Sequence, residues 1–287
     1  MDTELVRSAF RNLRMPHQIL KARAHDTRRL YSVVEAMREG ELAGASFSGE
    51  TSEGVLELVD VVDTSAEHAG NVDLLSMGQG GKLTAHNAML LTFSELVQSL
   101  GQSCRSAAVI GDSAASRAVV GACRSLDIQV VVVTSPQWSS TEALCESDAA
   151  RRMRDLGALA TLWPRAPQSD STRFSSEMRL QFADLAASAD LLVHAPGGHV
   201  AAGAADEGEA IVPWERTHRD AVAIDLYYRS GGTSFVRGAT TRGLRVVGGV
   251  EMLARLTSRK VETWTGLRPE NEALLAAAHR VLAEQSP

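Results

Sequence analysis

Residues 106–135, SAAVIGDSAASRAVVGACRSLDIQVVVVTS, decide the fold. An apolar run from Ala107 to Ile110 stops at Gly111. A helical segment follows, with Ala118, Val119, Val120, Ala122 and Cys123 on its inner side. A second apolar run, Val130 to Val133, closes the stretch. Strand, glycine turn, helix and strand within thirty residues make a βαβ unit, which requires a parallel sheet and a right-handed crossover. Where such a unit opens a nucleotide-binding domain, free N–H groups at the helix N-terminus hold a pyrophosphate. Here the layout is complete, but the glycine pattern is only partial.

The same alternation continues downstream. Helical character spans Ser139 to Leu156 and Phe174 to Ser188, and strands are expected at Ala158 to Trp163, Ala189 to His194 and Ala221 to Tyr228. A helix over Ser234 to Arg242 and a strand over Leu244 to Val247 complete an α/β, doubly wound parallel sheet. In such a sheet, loops after the strand C-termini form the ligand crevice. Those loops are Gly111 to Ser116, Thr134 to Trp138, His194 to His199 and Tyr228 to Thr233. Upstream, residues 1–83 alternate on a smaller scale. Helical spacing over residues 3–13 is followed by a strand-like HQILKA (17–22), a helix carrying Leu30, Val33, Val34 and Met37, and a strand at Ala45 to Ser48. Then come a helix at Val55 to Val62, a hairpin across GQGG (78–81) and a helix from Thr84 to Gly101. Helices at Gly249 to Lys260 and Pro269 to Glu284 end the chain. The expected division is residues 1–101 with 249–287 as a smaller α/β substrate domain, and 102–248 as the parallel-sheet domain.

Composition narrows the function. The chain has 287 residues, 44% of them hydrophobic, and a formal charge of −6. That balance argues against nucleic acid as a partner. Cys104, Cys123 and Cys145 lack metal-ligand spacing and read as reduced intracellular thiols. The opening MDTELVRSAF has no apolar signal core, and no run approaches a membrane span. A soluble cytoplasmic protein acting on a small molecule is expected, with no metal and no membrane partner; a homodimer is left open.

Two stretches carry a resemblance to a known family. AIDLYYRSGGTSFVRGATTRGLRVVGGVEMLARLTSRKVETWTG is similar to the pattern D-L-x-Y…T…A…G…G-x-x-M-L…W-T-G. It matches at Asp225, Tyr228, Thr233, Ala239, Gly243, Gly249, Met252, Leu253, Trp264, Thr265 and Gly266. Early on, AFRNLRMPHQILKARAHDTRRLYSVVEAMREGELAGASFSGETSEGVLELVD follows the order and spacing of the same family's first domain. The chain thus resembles the shikimate dehydrogenase family (shikimate/quinate dehydrogenase-like). The resemblance implies a Rossmann-like domain beside a discontinuous substrate domain, and NAD or NADP as cofactor.

It also implies a Lys–Asp pair that exchanges protons with substrate, and here the chain departs. The motif N-V-T-x-P-H-K falls on Ser46 to Ser52, so Ser48 replaces its threonine and Ser52 its lysine. The motif N-T-D begins at Asn87 and puts Met89 where the aspartate stands. A glutamine that contacts substrate aligns with Leu256, and the family's opening strand with its serine pair has no counterpart. Neither Ser52 nor Met89 can exchange a proton near neutral pH, and general acid–base help is worth roughly 10²–10⁴-fold. The nearest lysine, Lys82, reads as part of a solvated hairpin. The cofactor run G-A-G-G-A-x-R is GDSAASR (111–117), so Ser113 crowds a turn that glycine normally opens to the pyrophosphate. Thr134-Ser135 stands where an arginine would meet the 2′-phosphate of NADP.

Candidate cleft residues are therefore Ser48, Ser52, Asn87, His194, His199 and Tyr228, with no catalytic residue assigned. Cofactor candidates are Gly111, Ser113, Ala114, Ala115, Ser116, Thr134 and Ser135, and binding is expected to be weak or absent. Arg255, Arg259 and Lys260 could hold a carboxylate or form a solvated basic face. The expectation is a diverged enzyme acting on a small cyclic hydroxy or amino acid, with NAD(P)-dependent oxidoreduction but not efficient shikimate oxidation. The alternative is a non-redox enzyme of specialised metabolism, or a ligand-binding pseudoenzyme on the same scaffold.

Overall fold

Gly80 and Gly81, both at positive φ, turn the chain back on itself, and the Gly78 amide donates to the Lys82 carbonyl across the turn. The hairpin so made is the centre of the first of two units described by a computed structural model. It covers residues 2–21, 27–47, 50–164, 173–196, 211–229 and 231–285. In chain order the elements are α1 (Asp2–Asn12), α2 (Thr27–Arg38), β1 (Gly44–Ser46), a 3-10 helix (Glu50–Leu58), β2 (Val61–Val62) and α3 (Thr64–Ala69). Then follow β3 (Leu74–Met77), β4 (Leu83–His86), α4 (Ala88–Ser99), β5 (Ser106–Ile110), α5 (Ala114–Ser125) and β6 (Val130–Thr134). Next come α6 (Thr141–Glu146), α7 (Asp148–Asp155), β7 (Leu159–Thr161), α8 (Arg173–Ser188), β8 (Leu191–His194) and β9 (Val222–Asp225). The chain ends with α9 (Ser234–Arg242), β10 (Arg245–Val247), α10 (Gly249–Thr265) and α11 (Asn271–Gln285).

Residues 1–93 and 250–287 make one unit, and 94–249 the other. In the first, four strands run in the order β1-β3-β4-β2, antiparallel except where β2 joins β4. Side chains alternate across a strand, so Leu75, Leu83 and Ala85 face one way and pack with Leu30, Val34 and Met37 of α2. On the other face, Gly44 leaves room for the Trp264 indole, which donates from Nε1 to the Leu75 carbonyl at 3.0 Å. That bond lays α10 across the sheet. Val6, Ala9 and Phe10 of α1 form a second core with Ala254, Val261 and Leu274.

The second unit is a six-stranded parallel sheet, β10-β9-β8-β5-β6-β7, with helices between the strands. The order reverses between β5 and β8, the switch point at which doubly wound sheets place ligands. Its strands are buried apolar runs, as a sheet covered on both faces demands. Around them pack Phe182, Phe235, Trp163 and Ile211.

Several local expectations change. His17 to Lys21 is not a strand: no neighbour pairs with it, and Leu20 is exposed. Val55 to Val62 divides into the end of the 3-10 helix and β2, because Val61–Val62 pairs with Thr84–Ala85. That pairing and the hairpin also keep Thr84 to His86 in a strand, so α4 begins only after Asn87. The helix expected over Ser139 to Leu156 is two. Extended Ser147 separates them, capping α7 through Ala150 N and accepting a bond from buried Trp138 Nε1 at 3.0 Å.

Candidate functional site

Polar residues collect at one end of the first unit's sheet. The C-terminal ends of β1, β2 and β4 and the N-terminal end of β3 coincide there, bringing Ser46, Asp63, Asp73, His86 and Asn87 to one edge. Asn87 caps α4. Its side chain accepts from Leu90 N at 2.8 Å and donates to Asn71 Oδ1 at 2.7 Å, while its own amide donates to Ser65 Oγ. Asn87 is 1% exposed, so every polar group of this candidate is spent inside the unit. Asp73 completes the cap: Oδ1 accepts from Ala88 N at 2.6 Å and Oδ2 from Met89 N at 3.0 Å. Burial pushes the Asp73 carboxyl above its ordinary range, against the pull of the Lys260 charge and the two amides.

Beside it lies a second network. His86 bonds through Nδ1 to Asp63 Oδ2 and through Nε2 to Ser76 Oγ at 2.8 Å. A carboxylate can only accept, so Nδ1 carries a proton, and Nε2 shares a hydrogen bond with the Ser76 hydroxyl. Asp63 also caps α3, receiving Ser65 N, Ala66 N and the Ser65 hydroxyl. Burial raises its carboxyl, but the bonds from His86, Ser65 and Ala66 outweigh it and hold the group below the usual range.

The helix α10 brings three basic residues, and they differ. Arg255 pairs with Glu251, and Arg259 with Glu262, each along the helix. Lys260 points inward. It is 9% exposed, and its ammonium lies 3.5 Å from the hydroxyl of exposed Ser46. Among the described residues no carboxylate lies within 4.0 Å of it. Ser52 falls in the 3-10 helix; Ser48 lies outside the described residues. Lys82 is exposed in its hairpin, as expected.

In the second unit, the C-terminal edge of the sheet is one register row: Thr161, Thr134, Ile110, His194 and Asp225. All five are buried. His194 Nδ1 donates to Asp225 Oδ1 at 2.9 Å and its ring stacks on Phe235 at 5.2 Å. Asp225 also receives the Thr233 hydroxyl and Tyr227 N. This places His194 as an anchor of the β9–α9 connection. Tyr228 is partly exposed just beyond it, and Gly249 admits the Tyr227 carbonyl where a Cβ would collide. His199 lies outside the described residues.

The cofactor candidates sit around Gly111. Its φ is +133°, and a Cβ would fall on the Ala195 carbonyl, so glycine is required by the chain's own β5–β8 junction. Ser113 and Ser116 form a reciprocal cap at the start of α5, and both hydroxyls donate to the Ala195 oxygen, at 3.1 and 2.8 Å. Ala114 and Ala115 form the first turn behind that cap. Thr134 turns inward to the Thr161 and Leu162 carbonyls, and Ser135 Oγ accepts from Gln137 N. These residues do not fit the phosphates of NADP. Ser113 stands where the family's turn carries glycine, its hydroxyl turned to the Ala195 carbonyl, and buried Thr134 and Ser135 supply no guanidinium of their own.

Nothing in the sequence pattern singles out Asp63, Asp73 or Ser76, whereas His86 precedes Asn87 at the expected start of the linking helix. For Lys260 a signal existed: Leu253, Thr257 and Lys260 share the inward spacing of one helix face, and all three are buried. No group of metal-ligating side chains occurs among the described residues, and no helix there is long and apolar enough to cross a membrane.

No protein-family profile matches the chain. A curated shikimate dehydrogenase (NADP(+)) of Thermus thermophilus is 33% identical over 132 residues, 45% of this chain and 48% of the relative. That match spans about half the relative's length. A longer match, to the shikimate dehydrogenase (NADP(+)) of Paramagnetospirillum magneticum, is 27% identical over 249 residues, 84% of this chain and 79% of the relative. Among solved structures, Thermus thermophilus shikimate 5-dehydrogenase in complex with NADP(H) and shikimate superposes with a TM-score of 0.69 at 24% identity. The overlay covers 98% of this chain and 94% of that one.

Proposed function

We propose that this chain, which belongs to the shikimate/quinate dehydrogenase-like family, is a diverged member acting on a small cyclic hydroxy or amino acid other than shikimate. The first unit is the substrate domain and the second the nucleotide-binding-like domain. The observation that carries the proposal is the sheet end of the first unit, where Ser46, Asp73 and inward-facing Lys260 gather although Ser52 and Met89 replace the family's proton-transfer pair. Polar and charged groups remain at that sheet end, while serine and methionine stand at the positions of the acid–base pair.

Oxidoreduction with NAD(P) is the activity the relatives suggest, because they are NADP-dependent. A second, non-redox reading (an enzyme of specialised metabolism or a ligand-binding pseudoenzyme) is favoured by the Ser113 and Ser116 hydroxyls on the Ala195 carbonyl. They close the turn against a pyrophosphate.

Purified protein with shikimate and NADP, at neutral and alkaline pH, should turn over negligibly. Turnover within tenfold of a typical enzyme, roughly 10 s⁻¹, would refute the divergence. Calorimetric titration with NAD and NADP then separates the two readings. Micromolar binding of either keeps oxidoreduction, and silence at millimolar concentration selects the non-redox reading.

A further inference from the structure

We propose that Lys260, with the Ser46 hydroxyl, is an anion subsite that holds the carboxylate of an organic acid. The ammonium is buried on α10 and reaches the sheet end, yet its one hydrogen bond is a long 3.5 Å contact. An ammonium carries three donors, and burying one with no carboxylate in contact is costly.

The Lys260 charge acts on Asp73, but that carboxyl makes no ion-pair contact with the ammonium: both its oxygens are bound to the first amides of α4, and burial pushes it up. His86 is committed to Asp63 and Ser76, while Arg255 and Arg259 are paired along their own helix. A ligand carboxylate placed over exposed Ser46 would accept from the ammonium and from the hydroxyl together. Such charge-assisted bonds are the strong ones. A small hydroxy acid offers that carboxylate, so the subsite deepens the function proposed above and rests on the same sheet end.

The chain has three lysines, and Lys21 and Lys82 are exposed. Full-length protein isotope-labelled at lysine Cε therefore reports three signals by NMR, with Lys260 identified by its loss in Lys260→Gln. The probes are shikimate, quinate and benzoate, the methyl ester of each as a neutral control, and inorganic phosphate. At least one carboxylate at millimolar concentration should move the Lys260 signal saturably while its ester does not. Calorimetry should find that carboxylate bound about ten- to a hundredfold more weakly by Lys260→Gln. Lys260→Met, which removes a charge with no ion-pair contact, should melt no lower than the parent, so lost binding is not lost folding. A response to phosphate alone overturns the carboxylate assignment. No response to any probe, or carboxylate binding unchanged in Lys260→Gln, overturns the subsite. Turnover is not read, so an inactive protein would defeat the proposed function and leave this result standing.

Discussion

Replacing Asp225 by alanine tests whether His194 is an anchor. Asp225 is 0% exposed and accepts from three donors: His194 Nδ1, Thr233 Oγ1 and Tyr227 N. Alanine would strand all three in a site where water cannot replace the carboxylate. Breaking a buried pair by removing one partner costs about 3–5 kcal/mol. For a unit of this size, 1 kcal/mol moves Tm by about 2–4 °C, so the melting transition of residues 94–249 should fall by roughly 6–20 °C. Asp225→Asn keeps an acceptor toward His194, and Thr233 can rotate to accept from the new amide, so its loss should stay under about 2 kcal/mol. Thermal and urea unfolding followed by circular dichroism measure both, and long-range nitrogen–proton NMR should find the His194 proton on Nδ1. An alanine variant within about 0.5 kcal/mol of the parent, the range of ordinary surface changes, would refute the anchoring role and return His194 to the catalytic candidates.

Gly111→Ala should cost about 1–3 kcal/mol of unfolding free energy for the positive φ alone, with the collision against the Ala195 carbonyl added; unchanged stability would show that the β5–β8 junction can open. Ser113→Gly should lower stability by only a few tenths of a kcal/mol, the usual cost of a glycine N-cap, plus one lost bond to Ala195. It should also raise NADP affinity by calorimetry, and no rise would mean that Ser113 is not what closes the turn. Asp63 predicts a pH dependence. Its folded carboxyl lies below the ordinary value, so its stabilisation is present above the unfolded carboxylate pKa near 4 and is lost as pH falls through the folded value. The stability gap between parent and Asp63→Asn, measured by urea unfolding, should therefore be widest near neutral pH and narrow as pH falls below the ordinary carboxylate value.

The sequence by itself determined the architecture. Apolar runs bounded by Gly111 and Thr134 form strands in any buried parallel sheet. The strand–helix alternation then leaves a doubly wound arrangement as the solution that covers both faces. Two helix caps were not legible: Ser113 reads in the sequence as crowding the turn, and the structure shows it capping α5, as Thr233 caps α9 through Val236 N. What the pattern could not say is which polar side chains meet. Ser46 and Lys260 are 214 residues apart in the chain, and Asp63 and His86 are 23. Periodicity assigns a residue to a face but not to a neighbour, because neighbours depend on strand order and on where a helix crosses. Lys260 reaches Ser46 because α10 is laid across the sheet by Trp264 over Gly44. Register sets His194 beside Asp225, which takes up its Nδ1. In both cases the side-chain chemistry was written in the sequence, and the tertiary pairing decided its neighbour.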